Sequence, residues 1–87
     1  MIRFTRHAEE KFAVLKRYGL RITKQQVVDA VSAPDDVDRS RLPLLIAQKH
    51  LDLDHVLRVV YKAENNLKTV ITFYPGRIKQ YGKKPKS

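Results

Sequence analysis

The chain has 87 residues, enough for one domain with a single modest hydrophobic core. With 43% hydrophobic residues, the composition excludes a disordered chain of low hydrophobicity, and the absence of Cys excludes both a disulfide framework and a thiolate metal site. Lys and Arg number 18 against 9 Asp and Glu, which gives a formal net charge of +9. No apolar run reaches the roughly 20 residues that cross a bilayer. With no signal-peptide core at the N-terminus, we expect a cytoplasmic protein without a membrane partner.

The positive charge is large for so small a protein. The positive charges repel one another within the compact state, so a polyanionic partner is indicated: nucleic acid, an acidic protein or an anionic membrane. A solvated basic surface is the alternative interpretation.

The first element after a short edge strand, "IRF", is predicted to be a helix over residues 6–18. Thr5 suits the N-cap, and Gly19 is well placed just after the C-cap. Apolar side chains recur at helical spacing, at Ala8, Phe12 and Leu15. A helix is therefore expected to pack one face against a core.

A second helix is predicted after a tight corner. Thr23 and Gln26 stand in capping-box positions, and Pro34 ends the pattern. The apolar stripe consists of Val27, Val28, Ala30 and Val31.

The second half of the chain reads as strands. "DDVDRSRLP" fits a loop or a weak strand, whereas "LLIAQKH", "DHVLRVVYKA" and "LKTVITFYP" are rich in strand formers. The predicted class is α+β, with two N-terminal helices packed on one face of an antiparallel sheet of three to four strands. Residues 82–87 are expected to form a basic, disordered tail.

The last two strands are predicted to form a hairpin with a three-residue loop, residues 64–66. In that register the helix-packing face carries the pairs Leu57 with Phe73, Val59 with Ile71, and Tyr61 with Thr69. The opposite face carries Arg58 with Thr72, Val56 with Tyr74, and Lys62 with Lys68. Like charges facing each other at Lys62 and Lys68 would favour a polyanion nearby.

Arg58, Thr72 and Tyr74 are predicted to line the open side of the sheet. A guanidinium beside a hydroxyl and a phenol is a plausible phosphate site, and no acid stands opposite Arg58 in this register. The alternative is structural: Arg58 as a solvated cross-strand partner, Thr72 as a strand former and Tyr74 as cover for a core edge.

His7 is the one His predicted to serve in chemistry. It lies in the first turn of the first helix, where the positive end of the helix favours a neutral ring able to accept a proton. His50 and His55 bracket the loop "LDLD" and are interpreted as incidental. The three His residues show no metal-ligand spacing, so no metal site and no cofactor are predicted.

Four stretches together carry a resemblance: "FTRHAEEKF", "YGLRITKQQVVDAV", "HVLRVVY" and "TVITFYPGR". They resemble a family of small uncharacterised domains with an "FTxHA" start and a late "TxYP" strand. That family is similar to the RelE-like and BrnT-like ribonuclease toxins, in the barnase, colicin and RelE group of folds. The likeness covers residues 4–81.

The resemblance implies a single RelE-like domain over residues 1–81 and a metal-independent endoribonuclease of the toxin type. RNA would bind the open face of the sheet, and the 2′-hydroxyl would attack the neighbouring phosphate. His7 matches the helix-start histidine of the family, Arg58 and Thr72 its polar strand positions, and Tyr74 an aromatic or hydroxyl position. An acidic antitoxin is the implied protein partner.

The expected catalytic roles are proton transfer by His7, charge stabilisation by Arg58, and phosphate orientation by Thr72 or Tyr74. Contacts to the RNA backbone are predicted for Arg6, Lys11, Lys62, Lys68, Arg77 and Lys79. Tyr81 is either a further RNA contact or cover for a core edge. Two alternatives use the same basic face: a non-catalytic RNA- or DNA-binding domain, and a protein-interaction module that docks an acidic partner.

Overall fold

The computed structural model describes residues 1–81, so the predicted basic tail at 82–87 lies outside the described residues. The elements, in chain order, are β1 Ile2–Phe4, α1 Arg6–Arg17, α2 Lys24–Ser32, β2 Asp36–Asp38, β3 Leu44–His50, β4 His55–Glu64, β5 Leu67–Arg77 and α3 Ile78–Tyr81. The α+β class is confirmed.

Both long helices begin where their capping residues predict. The Thr5 hydroxyl accepts a hydrogen bond from the Ala8 N–H at 3.2 Å, and the Thr23 and Gln26 side chains form both bonds of a capping box. The helix α1 ends one residue earlier than predicted. Its C-cap is Tyr18, and Gly19 follows with φ 81°, a conformation that glycine adopts without a steric penalty.

The sheet has five strands in the order β1-β5-β4-β3-β2. The strand β1 runs parallel to β5, whereas the other three pairings are antiparallel. The predicted sheet of three to four antiparallel strands was therefore wrong in strand number and in the direction of β1. The two strands that the prediction left uncertain, β1 and β2, have three residues each. Segments of that length carry too little periodicity to determine their pairing.

The core lies between the two long helices and one face of the sheet. The helices bury Ala8, Val27, Ala30 and Val31 against Ala47, Leu57, Val59, Tyr61, Val70 and Phe73 of the strands. The ring of Phe12 packs on that of Phe73 with a centroid separation of 4.6 Å. The prediction that Leu57, Val59, Tyr61 and Phe73 face the helices is confirmed. It was wrong for Ile71 and Thr69, which are not part of the core; Val70 takes that place beside Tyr61.

The β4–β5 hairpin has a different register from the predicted one. Its turn has two residues, Asn65 and Asn66, and Asn65 takes φ 55°, which Asn tolerates better than most residues. A β-bulge then inserts Ile71 between Val70, which pairs with Tyr61, and Thr72, which pairs with Val60.

Three predicted cross-strand pairs on the open face are consequently wrong. Arg58 pairs with Tyr74 rather than with Thr72, and Val56 pairs with Gly76. Lys62 pairs with Thr69 and Lys68 with Ala63, so the predicted apposition of two Lys residues does not occur.

On the helix-packing face the predicted pairs are shifted as well: Leu57 pairs with Pro75, Val59 with Phe73, and Tyr61 with Val70. Beyond the bulge each residue of β4 pairs two positions further along β5 than predicted. Because side chains along a strand alternate between the two faces, a shift of two residues leaves each side chain on its predicted face. The prediction that Arg58, Thr72 and Tyr74 share one face is therefore confirmed.

Within residues 1–81, none of the helices has the length and apolar character needed to cross a membrane.

Candidate functional site

Polar side chains gather in two adjoining clusters, one beside β5 where side chains of α1 reach Thr72, and one on the face of the sheet opposite the helices. We call His7, Lys11 and Thr72 the edge site, because they lie where β1 has ended and α1 runs beside β5. We call Arg58, Asp38, Gln48 and Tyr74 the buried network. Tyr74 stands two residues beyond Thr72 on the same strand, so the two clusters are neighbours.

The start of α1 is fixed to the bulge of β5. The Thr5 N–H donates to the carbonyl of Val70 at 3.0 Å, and the Thr5 hydroxyl donates to the carbonyl of Ile71 at 3.2 Å. Ile71 is the bulged residue, so Thr5 bonds to β5 at the point where the pairing with β4 is interrupted. The first turn of α1 is thereby positioned next to Thr72.

His7 and Lys11 are one helical turn apart and both reach the same oxygen. Lys11 Nζ donates to Thr72 Oγ1 at 3.1 Å, and His7 Nε2 lies 3.2 Å from that oxygen. A hydroxyl has one donor and two acceptor sites, so Thr72 can accept from Lys11 and donate to a neutral Nε2. The two nitrogens are thus both within hydrogen-bond distance of one hydroxyl.

Lys11 lies in a less polar setting than an ordinary surface lysine. Its Nζ is 6.0 Å from the ring centroid of Phe73 and 5.9 Å from that of Tyr74, within the range of cation–π attraction. Partial burial lowers the pKa of Lys11, because desolvation disfavours the charged form. The ammonium is therefore a better proton donor than that of a fully solvated lysine. His7, by contrast, is exposed.

In the buried network, Arg58 is only 6% exposed and its guanidinium is engaged by protein groups. Nη1 donates to Gln48 Oε1 at 2.6 Å, Nη2 to Asp38 Oδ2 at 3.1 Å, and Nε to the Tyr74 hydroxyl at 3.2 Å. The premise that no acid faces Arg58 was wrong. Asp38 reaches it from β2, because the segment left as a loop or weak strand pairs with β3.

Asp38 is held in its ionised form. Hydrogen bonds from the side chain and backbone N–H of Ser40, followed by the bond and the charge of Arg58, lower the pKa of Asp38 to about 2, against an opposing contribution from burial. The Ser40 N–H donates to Asp38 Oδ1 at 2.9 Å. The Arg58–Asp38 pair therefore stays charged throughout the neutral pH range.

A pocket of about 580 Å³ opens beside the buried network. The cross-strand partners Ile46 and Val60 give it an apolar floor on the sheet, and Tyr74 and charged side chains complete the lining. The lining residues are Asp38, Ser40, Arg41, Leu44, Ile46, Arg58, Val60 and Tyr74. A concave site with an apolar base and a few convergent polar groups is the usual form of a ligand site.

The remaining residues predicted to contact RNA are distributed over four elements, α1, β4, β5 and α3. Arg6 Nε lies 3.5 Å from Glu10, and Lys62 Nζ lies 3.8 Å from Glu64, both on exposed surface. Lys68 Nζ lies 5.9 Å over the ring of Tyr61, a residue of the helix-packing face. The other predicted contacts are near the end of the described chain: Arg77 ends β5, and α3 contains Lys79 and Tyr81.

The other two His residues pair with acids. His50 Nδ1 lies 2.7 Å from Asp35, and His55 Nδ1 lies 2.9 Å from Asp52. Among residues 1–81, no three His, Asp or Glu side chains are grouped as metal ligands would be.

Sequence reasoning missed three features of the site. Lys11 was predicted as an RNA contact only, although its spacing of four residues from His7 places both on one helix face. Gln48 had a weak signal, since it is a polar residue in an otherwise apolar strand. Asp38 had none, because its position depends on the pairing of a three-residue strand.

The chain matches none of the protein-family models, curated proteins or solved structures with which it was compared. The likeness to RelE-like toxins therefore stays a hypothesis based on the quoted motifs. The functional argument depends on the geometry of the edge site.

Proposed function

We propose that the protein is an endoribonuclease of the toxin type, which cleaves RNA at the edge site by attack of a 2′-hydroxyl on the adjacent phosphate. One observation carries the proposal: His7 and Lys11 converge on the hydroxyl of Thr72, so a proton acceptor and a cation flank one point on the surface. These are the groups that internal phosphoryl transfer requires from a protein.

In the proposed reaction, His7 Nε2 removes the proton of the 2′-hydroxyl as that oxygen forms a bond to phosphorus. The bond from phosphorus to the 5′-oxygen of the next nucleotide breaks, and Lys11 gives a proton to this leaving oxygen. The products are a 2′,3′-cyclic phosphate and a free 5′-hydroxyl. The protein supplies both proton transfers, so no step is assigned to a metal ion.

Thr72 and Tyr74 are assigned to orient the phosphate, as the sequence suggested. The role of Arg58 changes. Because its guanidinium bonds to Gln48, Asp38 and the hydroxyl of Tyr74, we assign Arg58 to hold Tyr74 in place rather than to neutralise phosphate charge.

The partner in this proposal is RNA, drawn to the chain by its net charge of +9. The same charge would favour an acidic antitoxin as the protein that restrains the activity. Both the RNA and the acidic antitoxin are therefore proposed on the same electrostatic argument.

The test is cleavage of a mixed single-stranded RNA in EDTA by the wild-type protein, His7→Ala and Lys11→Met. We expect cleavage that leaves 2′,3′-cyclic phosphate ends, and a loss of about a hundredfold or more in rate for each variant, since each removes one proton-transfer group. His55→Ala and Lys16→Met are the matched controls: the first removes a partly exposed His outside the edge site, and the second removes the same charge from the same helix. Both should cleave at the wild-type rate.

Circular dichroism of each variant establishes that the fold is intact. If the wild-type protein retains RNA in a salt-sensitive complex without cleaving it, the proposal is wrong and the non-catalytic binding domain takes its place. If neither cleavage nor RNA binding occurs, the protein-interaction module is the better account of the basic surface.

A further inference from the structure

The pocket beside the buried network has no assigned occupant so far. We propose that it binds an unstacked nucleobase that carries an exocyclic amino group, belonging to the RNA held at the edge site. This inference rests on the proposed function, because it takes RNA as the ligand and the edge site as the position of its phosphate.

The shape and lining of the pocket suit a flat aromatic ring. Its volume of about 580 Å³ is within the range of small-ligand sites. Leu44, Ile46 and Val60 form an apolar floor, and Tyr74 adds an aromatic side chain to the lining. Proteins that read single-stranded RNA accept splayed bases by stacking them on aromatic rings and bonding to their polar edges.

The pocket lies next to the proposed reaction centre. Val60, on the floor of the pocket, is the cross-strand partner of Thr72 in the edge site. Thr72 and Tyr74 are two residues apart on β5, which is roughly 7 Å along a strand. A base in the pocket and its own phosphate at the edge site are therefore compatible with one nucleotide.

Asp38 gives the pocket its chemical preference. Its two oxygens accept from the Ser40 N–H and from Arg58 Nη2, and an ionised carboxylate has about four acceptor sites. The remaining sites can accept from the amino group of cytosine, adenine or guanine, as carboxylates do when they read a cytosine amino group. Uracil has no amino group, so it should bind less well.

The test measures binding without cleavage. Heptamers of 2′-O-methyluridine with a central uracil, cytosine or adenine cannot undergo internal attack, because the 2′-oxygen is methylated. By fluorescence anisotropy at one fixed salt concentration, we expect the cytosine and adenine heptamers to bind about tenfold more tightly than the all-uracil one, the discrimination of a good base contact.

Two variants address the pocket itself. Asp38→Asn removes the carboxylate, and Val60→Trp fills the floor without altering a bond of Arg58; each should bring the three affinities to within about twofold of one another. Asp36→Asn is the matched control, because it makes the same charge change two residues away on β2 and Asp36 does not line the pocket. It should keep the preference. If Asp38→Asn fails to fold, Val60→Trp decides the question.

Wild-type affinities that agree within twofold, or no binding of any heptamer, overturn the inference even if unmodified RNA is cleaved in EDTA. A tenfold preference that survives Val60→Trp overturns it as well, since the base would then bind elsewhere. Conversely, a preference that both variants abolish, together with an absence of cleavage, supports the pocket and removes the catalytic assignments of His7 and Lys11. The two proposals therefore fail separately.

Discussion

The edge site and the buried network are built from similar polar groups but differ in how those groups are used. At the edge site, His7 is exposed and meets Lys11 at a single hydroxyl. In the buried network, Arg58 is almost fully covered and bonds to an amide, a carboxylate and a phenol. The first arrangement leaves an imidazole within reach of solvent, whereas the second commits its cation to other protein groups.

This difference indicates what each cluster contributes. A buried cation that lost one partner would cost several kcal/mol, so the network is expected to matter most for stability and for the position of Tyr74. An exposed imidazole contributes little to stability and can meet a substrate. A cation in a strand is thus poor evidence for phosphate binding until its neighbours are known.

The largest expected effect is on the stability of the buried network. Arg58→Met should lower the free energy of unfolding by about 3 kcal/mol, because it leaves Asp38 and Gln48 without their partner in a largely buried setting. Urea denaturation measures this change. Lys62→Met, which removes the same charge from an exposed position on the same strand, should change stability by about 0.5 kcal/mol or less. Equal stability of the two variants would show that the network contributes nothing.

A smaller effect, on rate rather than stability, is expected at the edge site. Thr72→Val keeps the shape of the side chain but removes the hydroxyl on which His7 and Lys11 converge. RNA cleavage should fall about tenfold, or 1.4 kcal/mol in barrier, while urea denaturation shows a change of about 0.5 kcal/mol or less. Thr69→Val, on the same strand outside the edge site, is the control for both measurements. A stability loss without a rate loss would make Thr72 a structural residue.

The smallest effect is the pH dependence that Asp38 contributes. The pKa of Asp38 is lowered to about 2 in the folded protein from an ordinary 3.8, so the folded state favours the ionised form. Its stabilisation is fully present above pH 4 and is lost as the pH falls from about 4 to about 2. After discounting for solvent exposure, we expect about 1 kcal/mol.

The measurement for this third effect compares urea denaturation of the wild-type protein and Asp38→Asn at pH 5 and near pH 2.5. The stability advantage of the wild type should shrink by about 0.7 kcal/mol at the lower pH, because about a third of the stabilisation remains at pH 2.5. Asp36→Asn should not reproduce that change. If the difference in unfolding free energy between the wild type and Asp38→Asn is the same at both pH values, Asp38 does not contribute this pH dependence.

The sequence predicted the two long helices well because their determinants are local, whereas the four-residue helix α3 was not predicted. Thr5, Thr23 and Gln26 act on backbone groups within three residues, and each cap forms as expected. The faces of the β4–β5 hairpin were predicted correctly beyond the bulge but not between the turn and the bulge, where Val70 and not Thr69 faces the helices. The alternation of apolar and polar residues is a property of each strand alone, whereas the bulge that interrupts it is not.

The site was predicted less completely because it depends on long-range pairing. His7 and Thr72 were both candidates, but nothing local indicated that α1 would place them 3.2 Å apart. Asp38 could not be found, because a three-residue strand acquires its position from β3. The role of Arg58 was misjudged for the same reason: its acidic partner comes from two strands away.

The bulge at Ile71 also constrains how this chain can change in length. Because Ile71 is the extra residue, deleting it would leave Val70 and Thr72 opposite the adjacent residues Tyr61 and Val60, so Phe73 and Tyr74 would keep their faces. The deletion would instead remove the carbonyl that accepts from the Thr5 hydroxyl, one of the two bonds by which Thr5 holds the start of α1 to β5. The sheet should therefore tolerate the loss of this residue better than the placement of His7 and Lys11 does.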